Sequence, residues 1–292
     1  MSMIYKANAY GKINLYLDVL DRLENGYHNV ESVMQSVSLC DTVTLEISDV
    51  KGENEIEILT SCVKIPNDKT NIVYKCAKKL LDYTNIFGKK CVFSIEKNIP
   101  IAAGMAGGSS DGAIAMKLLN EACDNPLSYE ELCKLGATVG ADIPFCITGG
   151  TCICKGIGDK ITKIKPFSDV FVVSAIDNSS VSTPVAFSML DEKYGISCSS
   201  SSDITRIVNA IEIGDTKLVS SLLYNKFESV IIPTNKNIEK IKAILLENGA
   251  SGVLMSGSGP SVFGIFLDEF SQKKAYDALK NCSINTFLCK TI

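Results

Sequence analysis

The stretch PIAAGMAGGSS at residues 100–110, followed at once by DGAIAMKLLN at residues 111–120, predicts more about this chain than any other segment. Three glycines and three alanines leave its backbone almost bare up to the pair Ser109 and Ser110, and apolar residues then recur at helical spacing. A loop with few Cβ atoms that runs into a helix can close its N–H groups on an anion, which the helix dipole also favours. The spacing matches neither the P-loop nor the dinucleotide fingerprint. Phosphate binding is therefore one interpretation of this stretch, and a plain turn with a serine or aspartate cap is the other.

The composition is that of an ordinary globular protein. The chain has 292 residues, 46% of them apolar and 21% charged, which is enough for two domains or for one large domain. Its net charge of −4 disfavours nucleic acid as a partner, because no basic excess could neutralise a phosphate backbone. We expect a small-molecule substrate held by local groups, and the sequence leaves the oligomeric state open.

Neither a membrane segment nor a zinc centre is expected. No run approaches eighteen consecutive apolar residues and the first residues lack a charged-then-apolar signal pattern, so we expect a cytoplasmic protein that has no membrane partner. The twelve cysteines are scattered without a C-x-x-C pair and are interpreted as buried, reduced thiols. Zinc is disfavoured because the chain has one histidine, and the close pair Cys152 and Cys154 lacks partners at ligand spacing.

Apolar periodicity predicts both strands and helices in the first half of the chain. The predicted elements are strands near residues 13–19, 43–47, 56–58 and 91–95 and a helix over residues 71–83. The Asn25-Gly26 dipeptide predicts a tight turn. Ser128 and Glu131 have the spacing of a capping box that opens a further helix.

The second half alternates strands and helices. A change of character after Lys160 places a domain boundary near residue 165, and Thr183 with Pro184 predicts a helix start capped by the threonine. The predicted elements are a strand at 171–176, helices at 203–213, 235–248 and 269–280, and strands at 253–255, 262–267 and 285–290. This alternation predicts an α+β sandwich with helices on one face of an antiparallel sheet.

Three separated segments together resemble the signature of the GHMP kinase superfamily of small-molecule kinases. They are AYGKINLYLDV at 9–19, PIAAGMAGGSSD at 100–111 and LMSGSGPSVFGIF at 254–266. More specifically, the chain resembles the kinases of the non-mevalonate isoprenoid route whose acceptor carries a cytidine diphosphate. That resemblance lies in the Lys-Ile-Asn start, the Gly-Tyr-His after the turn, the Ser-Ser-Asp after the glycines and the Gly-Ala-Asp-Ile-Pro-Phe segment.

The resemblance implies a two-domain GHMP kinase fold of the α+β class. Residues 1–165 would form an ATP-binding domain of the ribosomal protein S5 domain 2-like type, and residues 166–292 a ferredoxin-like C-terminal domain. The implied reaction is phosphorylation of the 2-hydroxyl of the acceptor by ATP with Mg²⁺. Ser110 resembles a position that reaches the metal in relatives, with phosphates and water as the main ligands.

Catalysis in such kinases relies on positioning, on charge stabilisation and on a carboxylate that takes the proton of the acceptor. The resemblance points to Asp142 as this base and to Lys12 as its partner. A lysine beside a carboxylate keeps it ionised, and the ammonium can draw the acceptor oxygen toward the γ-phosphate. Taken alone, Asp142 could be a helix or turn cap and Lys12 a solvated strand residue.

The ATP loop of the family maps onto the segment quoted first. The implied nucleotide-binding residues are Pro100, Ile101, Ala102, Ala103, Gly104, Met105, Ala106, Gly107, Gly108, Ser109 and Ser110. The chain departs from the family pattern at Met105, where leucine is usual, and at Ala106, where glycine is common. Alanine is tolerable there unless the position needs positive φ. Asn71 resembles a position near the adenine, and an N-cap role for it is equally open.

Recognition of a pyrimidine is the role implied for the only histidine. The ring of Tyr27 could stack on cytosine while His28 bonds its edge, and Phe187 would supply the other face of the sandwich, with Thr183 nearby. Asn14 would orient the substrate. The alternative is that Phe187 is an ordinary core residue and that His28 is a surface residue or a core residue with its polar atoms satisfied.

The loop at residues 257–259 is expected to line the phosphate end of the cleft, although a bare hairpin turn would look the same. Two other functions stay open at this point. One is another kinase of the superfamily, acting on mevalonate, homoserine or a sugar. The other is a nucleotide-binding sensor that kept the fold and lost catalysis.

Overall fold

The computed structural model describes residues 2–177, 182–195 and 203–292. The strands are β1 (Met3–Arg22), β2 (His28–Asp49), β3 (Glu55–Thr60), β4 (Lys89–Glu96), β5 (Thr151–Lys155), β6 (Lys160–Lys163), β7 (Phe171–Ile176), β8 (Tyr224–Asn225), β9 (Gly252–Met255), β10 (Ser261–Phe266) and β11 (Asn285–Lys290). The helices are α1 (Ile72–Thr84), α2 (Gly107–Ala122), α3 (Tyr129–Ala137), α4 (Ile143–Thr148), α5 (Thr183–Tyr194), α6 (Ile204–Ile213), α7 (Thr216–Ser221), α8 (Glu228–Ile231), α9 (Lys236–Glu247) and α10 (Glu269–Asn281), with a 3₁₀ turn at Ile232–Thr234. The class is α+β, as predicted.

The two strands β1 and β2 are much longer than the alternation predicted. They span 20 and 22 residues and are joined by the predicted Asn25-Gly26 turn, in which Gly26 has a φ of 84°. The N–H of Leu23 donates to the carbonyl of Tyr27 at 2.7 Å and closes the turn. The turn therefore delivers Tyr27 just ahead of β2 and His28 as the first residue of that strand.

The chain forms two compact units that interleave along the sequence. The first unit comprises Met1–Gly11, Cys40–Ile101 and Ala106–Thr148, and the second unit comprises Lys12–Leu39, Ala102–Met105 and Gly149–Ile292. Each long strand therefore contributes residues to both units. No break between the units falls at the predicted boundary near residue 165, and the division into 1–165 and 166–292 stays a prediction about family domains.

In the first unit β4 pairs antiparallel with residues 42–49 of β2 and parallel with β3. An entirely antiparallel arrangement was the wrong expectation here, because α1 lies between β3 and β4 in sequence and provides the crossover that a parallel pair needs. The buried face of this sheet, including Val43 and Phe93, packs in one core with residues of α1, α2, α3 and α4.

In the second unit the order β11-β7-β10-β9 makes a fully antiparallel sheet, as the terminal strands predicted. Its buried side chains share a core with α9 and α10, for example Val262 with Leu245 and Leu279. Two further pairings were not predicted: β8 lies parallel to β1, and the β5–β6 hairpin joins β2 at residues 32–35.

Helix starts follow the local sequence with two corrections. The capping box of Ser128 and Glu131 is present at α3. The cap of α5 is Ser182, so the prediction that Thr183 caps this helix is wrong, since its hydroxyl pairs instead with that of Ser258 at 2.9 Å. Helix α2 begins at Gly107, which places the pair Gly107 and Gly108 in its first turn instead of in the preceding loop.

The sequence analysis did not predict the helices α4 and α7, which are less than two turns long, or the two-residue strand β8, because periodicity needs a longer window. Within residues 2–177, 182–195 and 203–292, none of the helices combines the length and the apolar character needed to cross a membrane.

Candidate active site

Lys12 lies in the buried part of β1 and is 4% exposed. Its Nζ donates to Oδ1 of Asn14 at 2.7 Å. Among the described residues of the second unit, no carboxylate forms an ion pair with it. A buried ammonium with a neutral partner is costly unless an anion joins it. The surroundings of Lys12 therefore favour a site that receives negative charge.

Asn14 holds Lys12 in place. Its Oδ1 also accepts the N–H of Gly257 at 3.1 Å, and its Nδ2 donates to Oγ of Ser32 at 2.8 Å. The hydroxyl of Ser32 donates in turn to the carbonyl of Tyr16 at 2.6 Å. The side chain that the sequence assigned to the substrate thus has protein partners on both its oxygen and its nitrogen.

The three sequence motifs meet in the second unit around Lys12. The N–H of Lys12 donates to the carbonyl of Met105 at 3.0 Å, and Oγ of Ser256 donates to the carbonyl of Gly104 at 3.1 Å. Gly104 has a φ of +72°, and a Cβ there would lie 2.4 Å from the carbonyl oxygen of Ser256. A Cβ on Gly257 would lie 3.6 Å from Nζ of Lys12. Glycine is required at position 104, because any side chain would separate the two loops.

Two alanines of the loop adopt the left-handed conformation that favours glycine. Ala102 has a φ of 55° and Ala106 a φ of 56°. Position 106 therefore needs a positive φ, and this conformation costs an alanine about 1 kcal/mol of folding free energy. Met105, the other departure from the family pattern, is buried, and its sulfur accepts the hydroxyl of Ser174 at 3.5 Å. Its substitution for leucine therefore keeps a packed position.

The N-terminus of α2 lies in the first unit. Its first turn contains Gly107, Gly108, Ser109 and Ser110, and its 16 residues align their N–H groups toward this end. Ser110 is buried, and its hydroxyl donates to the carbonyl of Tyr10 at 2.7 Å. The helix start is therefore fixed to β1 while the backbone of its first residues remains a suitable anion site.

Asp142 directly precedes α4 and is half-buried. Its carbonyl accepts the N–H of Cys146 at 3.0 Å, which is the backbone bond of an N-cap residue. Helix α4 packs closely on α3, because a Cβ on Gly136 would lie 2.5 Å from Cγ2 of Ile143. Within the described residues of the first unit the Asp142 carboxylate has no hydrogen-bond or ion-pair partner, and its role as a base stays a prediction.

Asn71 caps α1 in the first unit, as the alternative interpretation of this residue had it. Its Oδ1 accepts the N–H of Val73 at 2.8 Å and its Nδ2 donates to the carbonyl of Pro66 at 2.6 Å. A role near adenine stays a prediction for this side chain.

The proposed pyrimidine-recognition residues lie in the second unit. The rings of His28 and Phe187 stack at 4.4 Å between centroids and 14° between planes. Nε2 of His28 lies 2.8 Å from Oδ1 of Asp191, and Oδ2 of the same carboxylate accepts Nη1 of Arg22 at 3.3 Å. The ring of Tyr27 is 60% exposed. Phe187 therefore packs on His28 in this structure, while Tyr27 keeps an open face for stacking.

Comparison with known proteins identifies the family to which this chain belongs. The model of the GHMP kinases N terminal domain matches residues 71–150, and that of the GHMP kinases C terminal domain matches residues 207–285. A Clostridium tetani protein named 4-diphosphocytidyl-2-C-methyl-D-erythritol kinase is 39% identical over 98% of this chain and 100% of its own. A Caldicellulosiruptor bescii protein of the same name is 39% identical over 94% of each chain. The chain belongs to the GHMP kinase family, among its 4-diphosphocytidyl-2-C-methyl-D-erythritol kinases.

Solved GHMP kinase structures agree with this assignment. A crystal structure of 4-(cytidine 5'-diphospho)-2C-methyl-D-erythritol kinase superposes with a TM-score of 0.79 at 25% identity, covering 98% of this chain and 99% of the other. The L. major mevalonate kinase, solved with R-mevalonate, has a TM-score of 0.72 at 18% identity over 99% of this chain and 96% of its own, and shares the fold. The protein is an ATP-dependent small-molecule kinase.

The potential metal ligands and the thiols are dispersed over the described part of this GHMP kinase. The described residues contain no group of three or more histidine, cysteine, aspartate or glutamate side chains arranged for a metal ion. The described cysteines are free, and five of them are buried, whereas Cys282 is exposed and five are half-buried, so the interpretation of all as buried thiols was too broad. Burial raises the pKa of the Cys152 thiol to about 11, which keeps it protonated and unreactive near neutrality.

Sequence reasoning missed two residues that shape the kinase site in the second unit. Asp191 lies four residues after Phe187 on α5, and this spacing could have placed both on one helix face. Asn225 donates to the carbonyls of Met255 and Gly257 at 2.6 and 2.8 Å and so fixes the third motif. No pattern around Asn225 indicates that role.

Proposed function

We propose that this kinase transfers the γ-phosphoryl group of ATP to the 2-hydroxyl of 4-diphosphocytidyl-2-C-methyl-D-erythritol, a step toward isoprenoid precursors that does not use mevalonate. The observation that carries the proposal is the Lys12 ammonium, buried beside the backbone of two glycine loops with a neutral amide as its partner in the second unit. Such a cation is stabilised when negative charge develops beside it. The names of the relatives supply the acceptor.

The chemical step makes one bond, breaks one bond and moves one proton. The acceptor oxygen bonds to the γ-phosphorus, the bond from that phosphorus to the β,γ-bridging oxygen breaks, and ADP leaves with its electron pair. The proton of the hydroxyl passes to a carboxylate, for which we propose Asp142. Lys12 is its proposed partner and draws the acceptor oxygen toward the phosphorus. Both roles rest on the sequence motifs, since the two residues belong to different units.

Triphosphate binding is proposed for the loop at residues 100–110 and the first turn of α2. The bare backbone at Gly104, the αL residues Ala102 and Ala106 and the N-terminus of a 16-residue helix are the features that support this role. We assign Asn14 to hold Lys12, because both ends of its amide are occupied by the protein.

Recognition of the cytosine is proposed for Tyr27 and the His28–Phe187 stack. The open ring of Tyr27 supplies a stacking face, and the imidazole of His28 is oriented by Asp191. Thr183 pairs with Ser258 of the third motif, which supports a place for it beside the substrate.

Mg²⁺ is proposed as the metal that accompanies ATP, and Ser110 fits it as a single protein ligand. The hydroxyl hydrogen of Ser110 goes to the carbonyl of Tyr10, and the lone pairs of its oxygen remain for a cation. When bound, the ion neutralises charge on the phosphates. Because the described residues offer no acidic cluster, phosphate oxygens and water would complete its coordination.

We further propose a cytoplasmic enzyme whose partners are small molecules, without nucleic acid or membrane. The free cysteines and the net charge of −4 support this proposal.

A panel of acceptors tests the proposed function. Purified full-length protein is given ATP and Mg²⁺ with the cytidine-diphosphate acceptor, mevalonate, homoserine or galactose, and ADP release is followed by a coupled assay. We expect turnover with the cytidine-diphosphate acceptor alone. Turnover on another acceptor instead would replace the proposed substrate, and ATP binding with no ADP release on any acceptor would make the protein a sensor.

Replacement of Asp142 by asparagine tests the proposed base. The Asp142→Asn variant should keep its thermal unfolding midpoint and lose turnover by about 10²- to 10⁴-fold, the usual contribution of a general base. The matched control is Asp82→Asn, which changes an exposed carboxylate of the same unit paired with Lys78. An active Asp142→Asn enzyme would remove Asp142 from the mechanism.

A further inference from the structure

An ionic cluster, of which only Asp111 belongs to a sequence motif, joins the two ends of the nucleotide-binding loop. Its members are Asp41 near the middle of β2, Lys97 just after β4, and Asp111 in the second turn of α2, all in the first unit. Asp41 is 0% exposed, Asp111 3%, and the Lys97 side chain 7%. None of the three is used by the chemical step.

Asp41 fixes the backbone that leads into the loop. Its Oδ1 accepts the N–H of Asn98 at 2.5 Å and the N–H of Ile99 at 2.7 Å, and its Oδ2 accepts Nζ of Lys97. A carboxylate that accepts three donors is held in one orientation, and it holds the donors in turn. The position and direction of residues 97–99 are therefore set before the loop begins.

Lys97 connects this incoming segment to the helix that leaves the loop. Its Nζ donates to Oδ2 of Asp111 at 2.7 Å while it also bonds Asp41. The start of α2 also lies close to residues 97–99. A Cβ on Gly107 would lie 2.9 Å from Cγ2 of Ile99 and 3.3 Å from Nζ of Lys97. The first turn of α2 is thus packed directly on the segment that precedes the loop.

Burial makes this connection rigid. Charges removed from water persist only when they are paired with good geometry, and breaking one pair leaves an uncompensated charge. Burial alone would lower the pKa of Lys97, but the two carboxylates raise it above its ordinary value, so the ammonium stays charged. The cluster therefore cannot open cheaply, and the chain between its anchors has a fixed span.

We infer that Asp41, Lys97 and Asp111 form a clamp that fixes both ends of the nucleotide-binding loop and act as positioning residues for ATP. The inference rests on the proposed function for the identity of the nucleotide. A loop closed at both ends loses less conformational freedom when it orders around a triphosphate, so the clamp contributes to affinity without contact to the ligand.

The test compares two lysine variants in full-length protein. In Lys97→Met we expect the KM for ATP to rise about tenfold, with kcat within about threefold of wild type and the KM for the acceptor unchanged. Backbone amides of residues 101–110 should exchange faster in the nucleotide-free protein than in wild type. The matched control is Lys89→Met, which breaks the pair with Asp49 at 2.6 Å between the same two strands and should leave both measurements unchanged.

Two further variants separate positioning from stability. Asp111→Asn keeps an oxygen that accepts Lys97 and should retain the wild-type KM for ATP. Lys97→Met combined with Asp111→Leu removes the stranded carboxylate and should recover thermal stability while the KM for ATP stays high. The clamp is overturned if the double variant has a wild-type KM for ATP and wild-type exchange in the loop. The hydrogen-exchange measurement needs no substrate. It therefore still tests the clamp if the protein does not phosphorylate the proposed acceptor.

Discussion

Two buried lysines of this chain have opposite surroundings. Lys97 in the first unit lies between Asp41 and Asp111, whereas Lys12 in the second unit has the amide of Asn14 and no carboxylate among the described residues of its unit. A paired buried lysine connects segments of a fold, while one without a counter-ion is held ready for a charge that arrives from outside. We therefore propose a positioning role for Lys97 and a catalytic role for Lys12, whose proposed carboxylate partner, Asp142, belongs to the other unit.

The largest expected effect is that of Lys12→Met. If this variant were mainly destabilised, the proposed difference between Lys12 and Lys97 would be wrong. Turnover should fall about 10²- to 10³-fold, because a group that stabilises transition-state charge is lost. The free energy of unfolding should stay level or rise, since a buried ammonium with a neutral partner is removed. A coupled ADP-release assay and thermal unfolding measure the two quantities.

The control for that variant is Lys226→Met in the same unit. Lys226 is 5% exposed and pairs with Asp18 at 3.2 Å, so its loss should reduce the free energy of unfolding by about 3–5 kcal/mol. If Lys12→Met destabilised the protein as much as Lys226→Met, Lys12 would be a structural residue and not the charge-stabilising group that we propose.

The free energy of unfolding should depend on pH through Asp111, one of the two carboxylates that pair with Lys97. Burial, then the nearby Asp41 carboxylate, raises the pKa of Asp111 to about 7, with Lys97 opposing the shift. Its Oδ1 is buried and accepts no hydrogen bond from the described residues. The folded state therefore binds the Asp111 proton more tightly than the unfolded state does.

The sign of this effect follows from linkage. The stability that Asp111 contributes is fully present below its unfolded pKa of about 4 and is lost as the pH rises through 7. Relative to wild type, Asp111→Asn should thus gain stability from pH 5 to pH 7, by at most about 1.4 kcal/mol per pH unit, and then level off. Urea unfolding of both proteins at four pH values measures the difference, and a constant difference would contradict the raised pKa.

A carboxylate that orients a histidine gives a smaller effect. Asp191 accepts Nε2 of His28 at 2.8 Å, an intermediate case with one acidic partner. In Asp191→Ala the KM for the acceptor should rise about tenfold with kcat and the KM for ATP unchanged, because the ring loses its orientation. Arg22→Ala, which removes only the more distant 3.3 Å partner, should have a weaker effect on the same KM. An unchanged KM in Asp191→Ala would separate His28 from acceptor binding.

The smallest expected effect is at the loop itself. Ala106→Gly relieves a φ of 56° and should stabilise the protein by less than about 1 kcal/mol, since glycine also gains entropy in the unfolded chain. Ala103→Gly is the control, because Ala103 is buried without a positive φ and should lose about 0.5–1 kcal/mol. Thermal unfolding of both variants decides whether the conformation at position 106 is strained.

Much of this fold could be predicted from local sequence. The Asn25-Gly26 turn, the capping box at Ser128 and the terminal strand and helix order were confirmed, because each depends on neighbours within a few residues. The parallel pairing of β3 and β4 and the long reach of β1 and β2 could not, since they depend on partners far along the chain.

The residues of the candidate site likewise fall into those that local motifs predict and those that they do not. The motifs located Gly257 and His28, but not their partners Asn225 and Asp191, which are isolated polar residues within otherwise ordinary segments. The contacts of the clamp could not be predicted from the sequence either, because they join residues that are far apart along the chain. Asp41, Lys97 and Asp111 are spread over seventy residues and resemble surface charges until packing buries them together.

The most direct test of the two lysine roles is a single-turnover measurement with saturating ATP and acceptor on Lys12→Met and Lys97→Met. The account predicts that the first slows phosphoryl transfer at least about 100-fold, while the second stays within about threefold of wild type once nucleotide is saturating. Equal slowing in both variants, or a slower step in Lys97→Met alone, would contradict it.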